Sequence, residues 1–100
     1  MKKIILLCNM GLSTSALVKR MISSAEDEGF ECSVAAFPVA EAEKEASDAD
    51  AILIGPQVSY QAEKVKALLP DIPVEVIPMQ DYGMMNGKNV LAQAKRMMGI

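Results

Sequence analysis

The chain has 100 residues, 51% of them hydrophobic and 23% charged. That balance excludes a disordered chain and predicts one domain over residues 1–100, with no room for a catalytic domain plus a lid. A net charge of −3, 4% aromatics and no Trp argue against nonspecific nucleic-acid or anionic-membrane binding and against base stacking.

Lys2-Lys3 followed by Ile4-Ile5-Leu6-Leu7-Cys8 faintly mimics a signal peptide. The apolar run falls short of the roughly 7–15 residues of an h-region. It reads instead as the buried first strand of a cytoplasmic protein. Leu17, Val18, Met21, Ile22 and Ala25 then form a helical stripe that Gly29 can stop. Phe30 to Phe37 reads as a strand interrupted by Glu31 and Ser33, and Val39, Ala42, Ala46 and Ala49 as a weaker helical stripe. Ala51 to Ile54 is a second all-apolar strand, closed by Gly55-Pro56. Val58, Ala62, Val65 and Leu69 repeat at helical spacing up to Pro70. Val74 to Ile77 is a short strand between prolines, and Val90, Leu91, Ala94, Met97 and Met98 mark a last helix. No apolar run approaches the ~20 residues of a membrane span.

Alternating strands and helices predict an α/β fold, a four-stranded parallel sheet with helices on both faces. The first and third strands are apolar throughout and belong in the centre. The second and fourth carry Glu31 and Glu75 and belong at the edges. Right-handed crossovers then give the order 2-1-3-4. Ligands of such sheets bind outside the carboxyl ends of the strands, where the winding reverses. Here that place lies between Cys8 with its following loop and Gly55-Pro56-Gln57.

The loop and helix start contain Asn9, Met10, Gly11, Leu12, Ser13, Thr14 and Ser15. A helix N-terminus offers unpaired N–H groups and the positive end of a dipole, and a Gly-containing loop can curl such donors around an anion. The hydroxyls add further donors. A cysteine facing such a ring is expected to be acidic, and its thiolate is a nucleophile that needs no histidine. That matters in a chain with no His, which also lacks the commonest metal ligand. The predicted site is therefore Cys8 as nucleophile with residues 9–15 as a phosphate-binding loop, with no cofactor and no metal. Cys32 is expected at the other end of the sheet, beyond disulfide reach of Cys8, as core filler.

Cysteine phosphatases place an Arg six residues after the nucleophile. Here that place holds Thr14, so the loop is equipped to hold a phosphoryl group and poorly equipped to drive its hydrolysis. The alternatives are a small cysteine phosphatase or arsenate reductase on a similar fold, and an interaction domain with an inert Cys8. Gln57 should border the Cys8 loop, as a hydrogen-bond donor or as a solvated turn residue. Tyr60 and Tyr82 could flank the site, with half-buried packing the plainer role. Asp81 is the one carboxylate expected near that face, where its charge is unfavourable beside a phosphoryl group. Met10 and Leu12 are apolar residues in a loop that must be reached, which suits transient docking.

The chain resembles the IIB component of the sugar phosphotransferase system, lactose/cellobiose/chitobiose class. The resemblance rests on the strand ending in Cys8, Gly11 to Ser15, Ala36-Phe37-Pro38, Leu53-Ile54-Gly55-Pro56-Gln57 with Tyr60, Leu68-Leu69-Pro70, Pro73 to Ile77 and Tyr82-Gly83. Met10 stands where the family carries a small residue, and Leu12 where it often carries Met. The resemblance implies a phosphotransferase that takes a phosphoryl group from a IIA phosphohistidine onto Cys8. It then passes the group to a disaccharide-type sugar held by the membrane permease component IIC. The sugar itself is not readable, because its pocket belongs to IIC.

Overall fold

Strands β1 (Lys2–Cys8), β2 (Cys32–Pro38), β3 (Ala51–Ile54) and β4 (Val74–Val76) pair in parallel, in the order β2-β1-β3-β4. The computed structural model describes residues 1–9 and 12–100, with the backbone alone at 12 and 13. The expectations for Met10, Gly11 and the side chains of Leu12 and Ser13 lie outside the described residues.

Apolar residues on both faces make β1 and β3 central, because neither face of either strand can be left in water. Ile4 to Cys8 and all of β3 are buried. Alternate residues feed two cores. Ile4, Leu6, Ala51 and Leu53 face helices α1 (Leu12–Glu28) and α5 (Gly87–Met97). Ile5, Leu7, Ile52 and Ile54 face α2 (Ala42–Glu45) and α3 (Ala62–Leu68). Edge strand β4 is anchored by its own acid. The Arg96 guanidinium donates to both Glu75 oxygens at 3.1 and 2.8 Å, and Gln93 Nε2 donates to Glu75 Oε1 at 2.9 Å and to the Val76 carbonyl at 3.1 Å. Arg96, then Gln93, hold the Glu75 carboxyl below its ordinary range.

The helices depart from the predicted stripes in three places. The Val39–Ala49 stripe is a 3₁₀ turn, Val39–Glu41, followed by the four-residue α2. Its buried members Ala42, Ala46 and Ala49 offer only methyl groups, too little burial to hold a long helix. The third stripe opens with a 3₁₀ segment, Pro56–Gln61, kinked at Val58. The kink turns Val58 into the core before α3 begins. Finally, a short helix α4 (Met79–Gly83) precedes α5. It has no apolar stripe, since Tyr82 is its only buried residue. No helix among the described residues is long and apolar enough to cross a membrane.

The position of α1 is set from behind. A Cβ placed on Gly87 would lie 2.5 Å from the Arg20 carbonyl carbon and 2.7 Å from the Met21 nitrogen. Only glycine lets α5 start against α1 at that depth, with Asn86 capping it through a 3.0 Å bond from the Asn89 N–H.

Candidate functional site

Cys8 is the last residue of β1, and Gly55 directly follows β3. The Gly55 N–H donates to the Leu7 carbonyl at 2.8 Å, tying the two strand ends together where the winding reverses. Gly55 has ordinary extended backbone angles, so it is not required for conformational freedom. It is required for space: a Cβ there would stand 3.1 Å from Cys8 Cβ and 3.2 Å from Gln57 Oε1. The same measurement puts the exposed Gln57 side chain beside Cys8, across Gly55.

The Cys8 thiol is buried and donates to Thr14 Oγ1 at 3.2 Å. Thr14 lies in the first turn of α1, a turn with no acidic residue of its own to offset the positive end of the 17-residue helix. Thr14 is 2% exposed. It can be buried because its hydroxyl is engaged twice, the second time with the Tyr82 hydroxyl at 2.6 Å. Tyr82 belongs to the same core as Leu6 and Leu17. It arrives from α4, 68 residues along the chain from Thr14.

The remaining expected site residues fall into two groups. Asn9 and Ser15 are exposed at this end of the sheet, as is Tyr60. Asp81 points elsewhere, with its Oδ1 accepting from Asn89 Nδ2 at 3.0 Å, so it braces the turn between α4 and α5. Cys32 stands opposite Lys2 in the β1–β2 ladder, while Cys8 stands opposite Pro38. The two thiols therefore occupy opposite ends of the sheet, and neither is in a disulfide. Burial first, and Glu28 second, push the Cys32 thiol up, against an opposing pull from Lys95.

The link from Tyr82 through Thr14 to Cys8 was not readable from spacing. Spacing suggests Tyr82 only as a residue that flanks or packs near the site, and Thr14 only as one hydroxyl among three, at the place where cysteine phosphatases carry Arg. The available signal was weak: an aromatic residue just past the carboxyl end of the fourth strand, in a stretch otherwise short of buried side chains.

Chemically, the arrangement sets a sulfur at the mouth of the sheet, near a helix N-terminus, with a hydroxyl already turned to it. The Arg place of the cysteine phosphatases is taken by the buried Thr14.

A family model described as "PTS system, Lactose/Cellobiose specific IIB subunit" matches residues 3–93. The chain is 42% identical over 100 residues to the oligo-beta-mannoside-specific EIIB component of Bacillus subtilis (strain 168), covering 98% of this chain and 97% of that one. It is 39% identical over 104 residues to the cellobiose-specific EIIB component of Lactococcus lactis subsp. lactis (strain IL1403), covering 97% and 96%. Among solved structures, it is similar to the cellobiose-specific phosphotransferase IIB component of Borrelia burgdorferi. The TM-score there is 0.82 at 30% identity, over 98% of this chain and 92% of that one.

Proposed function

The chain belongs to the lactose/cellobiose-specific IIB family of the phosphotransferase system and is a phosphotransferase; on that premise we propose that Cys8 is the residue that carries the phosphoryl group. The Cys8 thiolate attacks the phosphorus of a phosphohistidine on a IIA partner. The S–P bond forms as the P–N bond breaks, and the electron pair returns to the imidazole. A hydroxyl of a disaccharide-type sugar, held by the membrane component IIC, then attacks the same phosphorus, and its proton is released to solvent. The S–P bond breaks and the sulfur leaves as thiolate. Both steps run on the cytoplasmic side, without a cofactor, and the histidine that this chain lacks is supplied by the partner.

The observation that carries the reading is the place of Cys8, at the carboxyl end of a central strand where the winding reverses, with the first turn of α1 turned to its sulfur. Residues 9–15 act as the cradle, through backbone N–H groups and the hydroxyls of Ser13 and Ser15. Thr14 serves the sulfur. Gln57, across Gly55 from Cys8, borders the same space. The buried Thr14 in place of an Arg supports a carrier over a phosphatase, because hydrolysis needs charge stabilisation on the equatorial oxygens that a guanidinium would supply.

The test is intact-mass measurement after incubation with a phosphorylated IIA component. One phosphoryl group should be added and map to the peptide that contains Cys8. A phosphoryl group mapped to any other residue, or rapid turnover of an aryl phosphate by the unmodified protein, overturns the reading.

A further inference from the structure

We infer that Tyr82 is a positioning residue for Cys8: its hydroxyl partners Thr14 whichever way the single Thr14 hydrogen points, and so couples the Thr14 hydrogen bond to the charge on the Cys8 sulfur. The inference deepens the phosphoryl-carrier reading and rests on it for its role in transfer.

It begins with counting hydrogens. Thr14 Oγ1 lies 3.2 Å from Cys8 Sγ and 2.6 Å from the Tyr82 hydroxyl. A threonine hydroxyl has one hydrogen to donate and two lone pairs. With Cys8 as a thiol, the S–H donates to Thr14, and the Thr14 hydrogen is available to Tyr82. With Cys8 as a thiolate, the sulfur has no hydrogen. The contact survives only if Thr14 donates to sulfur, and Tyr82 must then donate to Thr14. Loss of the Cys8 proton to solvent thus reverses both hydrogen bonds together. A phenol fills either role at the far end, whereas a phenyl ring fills neither.

Burial makes this coupling count. Thr14 is 2% exposed and Tyr82 9%, so solvent is poorly placed to substitute for either partner. In such surroundings a chain of hydrogen bonds is stronger, and a missing member costs more, than in water. The fold also commits backbone to placing Tyr82. The Ile77 N–H donates to the Ile54 carbonyl at 2.8 Å, the Tyr82 N–H to the Pro78 carbonyl at 3.0 Å, and the Met85 N–H to the Tyr82 carbonyl at 3.0 Å. The hydroxyl is thereby hung from the end of β3, the strand next to Cys8. In transfer, the reversed network gives the sulfur a charge-assisted donor at two moments: before it attacks phosphorus and as it departs from the sugar phosphate.

The test follows the NMR shift of the Cys8 Cβ carbon against pH, which reads the thiolate directly and needs neither partner nor access to the sulfur. Tyr82→Phe should move the Cys8 midpoint upward, because the bond that strengthens Thr14 as donor to a charged sulfur outweighs the one lost by the neutral thiol, and Thr14→Val should move it further. The double variant should move it no further than Thr14→Val alone, since Tyr82 acts only through Thr14. Thr14→Ser should restore the parent midpoint, and the Cys32 carbon should titrate alike in all variants. If Thr14→Val fails to fold, Tyr82→Phe alone and Tyr82→Phe with Thr14→Ser carry the test, and both should show the same upward shift. An unchanged midpoint in Tyr82→Phe, or shifts that add in the double variant, overturns the inference. Failure of Cys8 to accept a phosphoryl group from IIA would instead overturn the carrier reading and leave the titration result standing.

Discussion

The two cysteines of this chain share a residue type and a neighbouring strand pair, yet their surroundings prepare them for opposite fates. Cys8 ends a central strand, under the first turn of α1, with a buried hydroxyl on its sulfur. Cys32 starts an edge strand at the other end of the ladder, half-buried beside Glu28 and the side chain of Lys95. Burial and a neighbouring carboxylate both keep the Cys32 thiol protonated. The difference teaches that position along a parallel strand decides what a cysteine can do. The carboxyl end meets helix N-termini, and the amino end meets helix C-termini such as that of α1 at Glu28.

The comparison can be broken most directly at the sulfurs themselves. On the proposed role of Cys8, Cys8→Ser should lower transfer to sugar at least a thousandfold, since a serine hydroxyl is hardly ionised near neutral pH. Cys32→Ser should keep transfer within about twofold, at a stability cost of roughly 1 kcal/mol for a half-buried thiol. Steady-state assays with both partners, together with thermal melts, check the pair. Equal loss in both variants would mean that the sheet ends are not distinct in function.

Each cysteine also has a glycine nearby, and the two glycines are there for different reasons. A methyl on Gly55 would press on Cys8 Cβ at 3.1 Å. Gly55→Ala should therefore displace Cys8 by a few tenths of an ångström and slow single-turnover transfer roughly tenfold, while costing only about 1 kcal/mol of stability. Gly29 has open space around it but a φ of 68°, where it ends α1 with the Phe30 N–H bonded to the Ala25 carbonyl at 2.9 Å. Gly29→Ala should cost about 1 kcal/mol through backbone strain alone. Its transfer rate should match the parent's at a temperature where both are folded. Rapid-quench kinetics and urea melts separate the two effects, and slowed transfer in Gly29→Ala would show that the two ends communicate.

Much of this contrast was legible in the residues. Uninterrupted apolar runs at Ile4–Cys8 and Ala51–Ile54, set against Glu31 and Glu75, were enough for the strand order 2-1-3-4, although β2 begins at Cys32 and leaves Phe30 and Glu31 just outside it. That order in turn put Cys8 and Gly55-Pro56-Gln57 together and Cys32 away from them. Helix periodicity worked where the stripe was large, as in α1 and α5. It failed where the stripe was made of alanines, or where a proline opened a 3₁₀ turn, because those segments are set by tertiary contact and not by their own burial. The α4 helix and the Tyr82–Thr14 bond left no local pattern at all. One buried side chain in five residues has no period, and a pairing across 68 positions becomes visible only when the sheet brings its ends together.

The smallest expected effect concerns the proton on Cys32. Its folded-state affinity for that proton is raised, by burial first and by Glu28 second, with Lys95 opposing. Lys95 is itself held by Glu28 at 2.9 Å and lies 5.0 Å from the centre of the Phe30 ring. Lys2 stands opposite Cys32 on β1. An unfolded chain releases the thiol proton in the ordinary thiol range, at about pH 8.5. Below that range both states hold the proton, and the contribution of the raised value to stability is fully present. Above it the unfolded chain loses the proton while the folded one keeps it, so unfolding gains and stability declines until the folded value is also passed. Lysines and tyrosines titrate in the same region, which makes the parent's own profile unsuitable as a readout. The difference between parent and Cys32→Ser isolates the one thiol. That difference should be constant from about pH 6 to 8 and then move against the parent by on the order of 1 °C in Tm as the pH rises to about 10. A flat difference across the whole range would mean that Cys32 is as well solvated folded as unfolded. A difference that moved in the parent's favour would mean that Lys95 and Lys2, and not burial and Glu28, govern that end of the sheet.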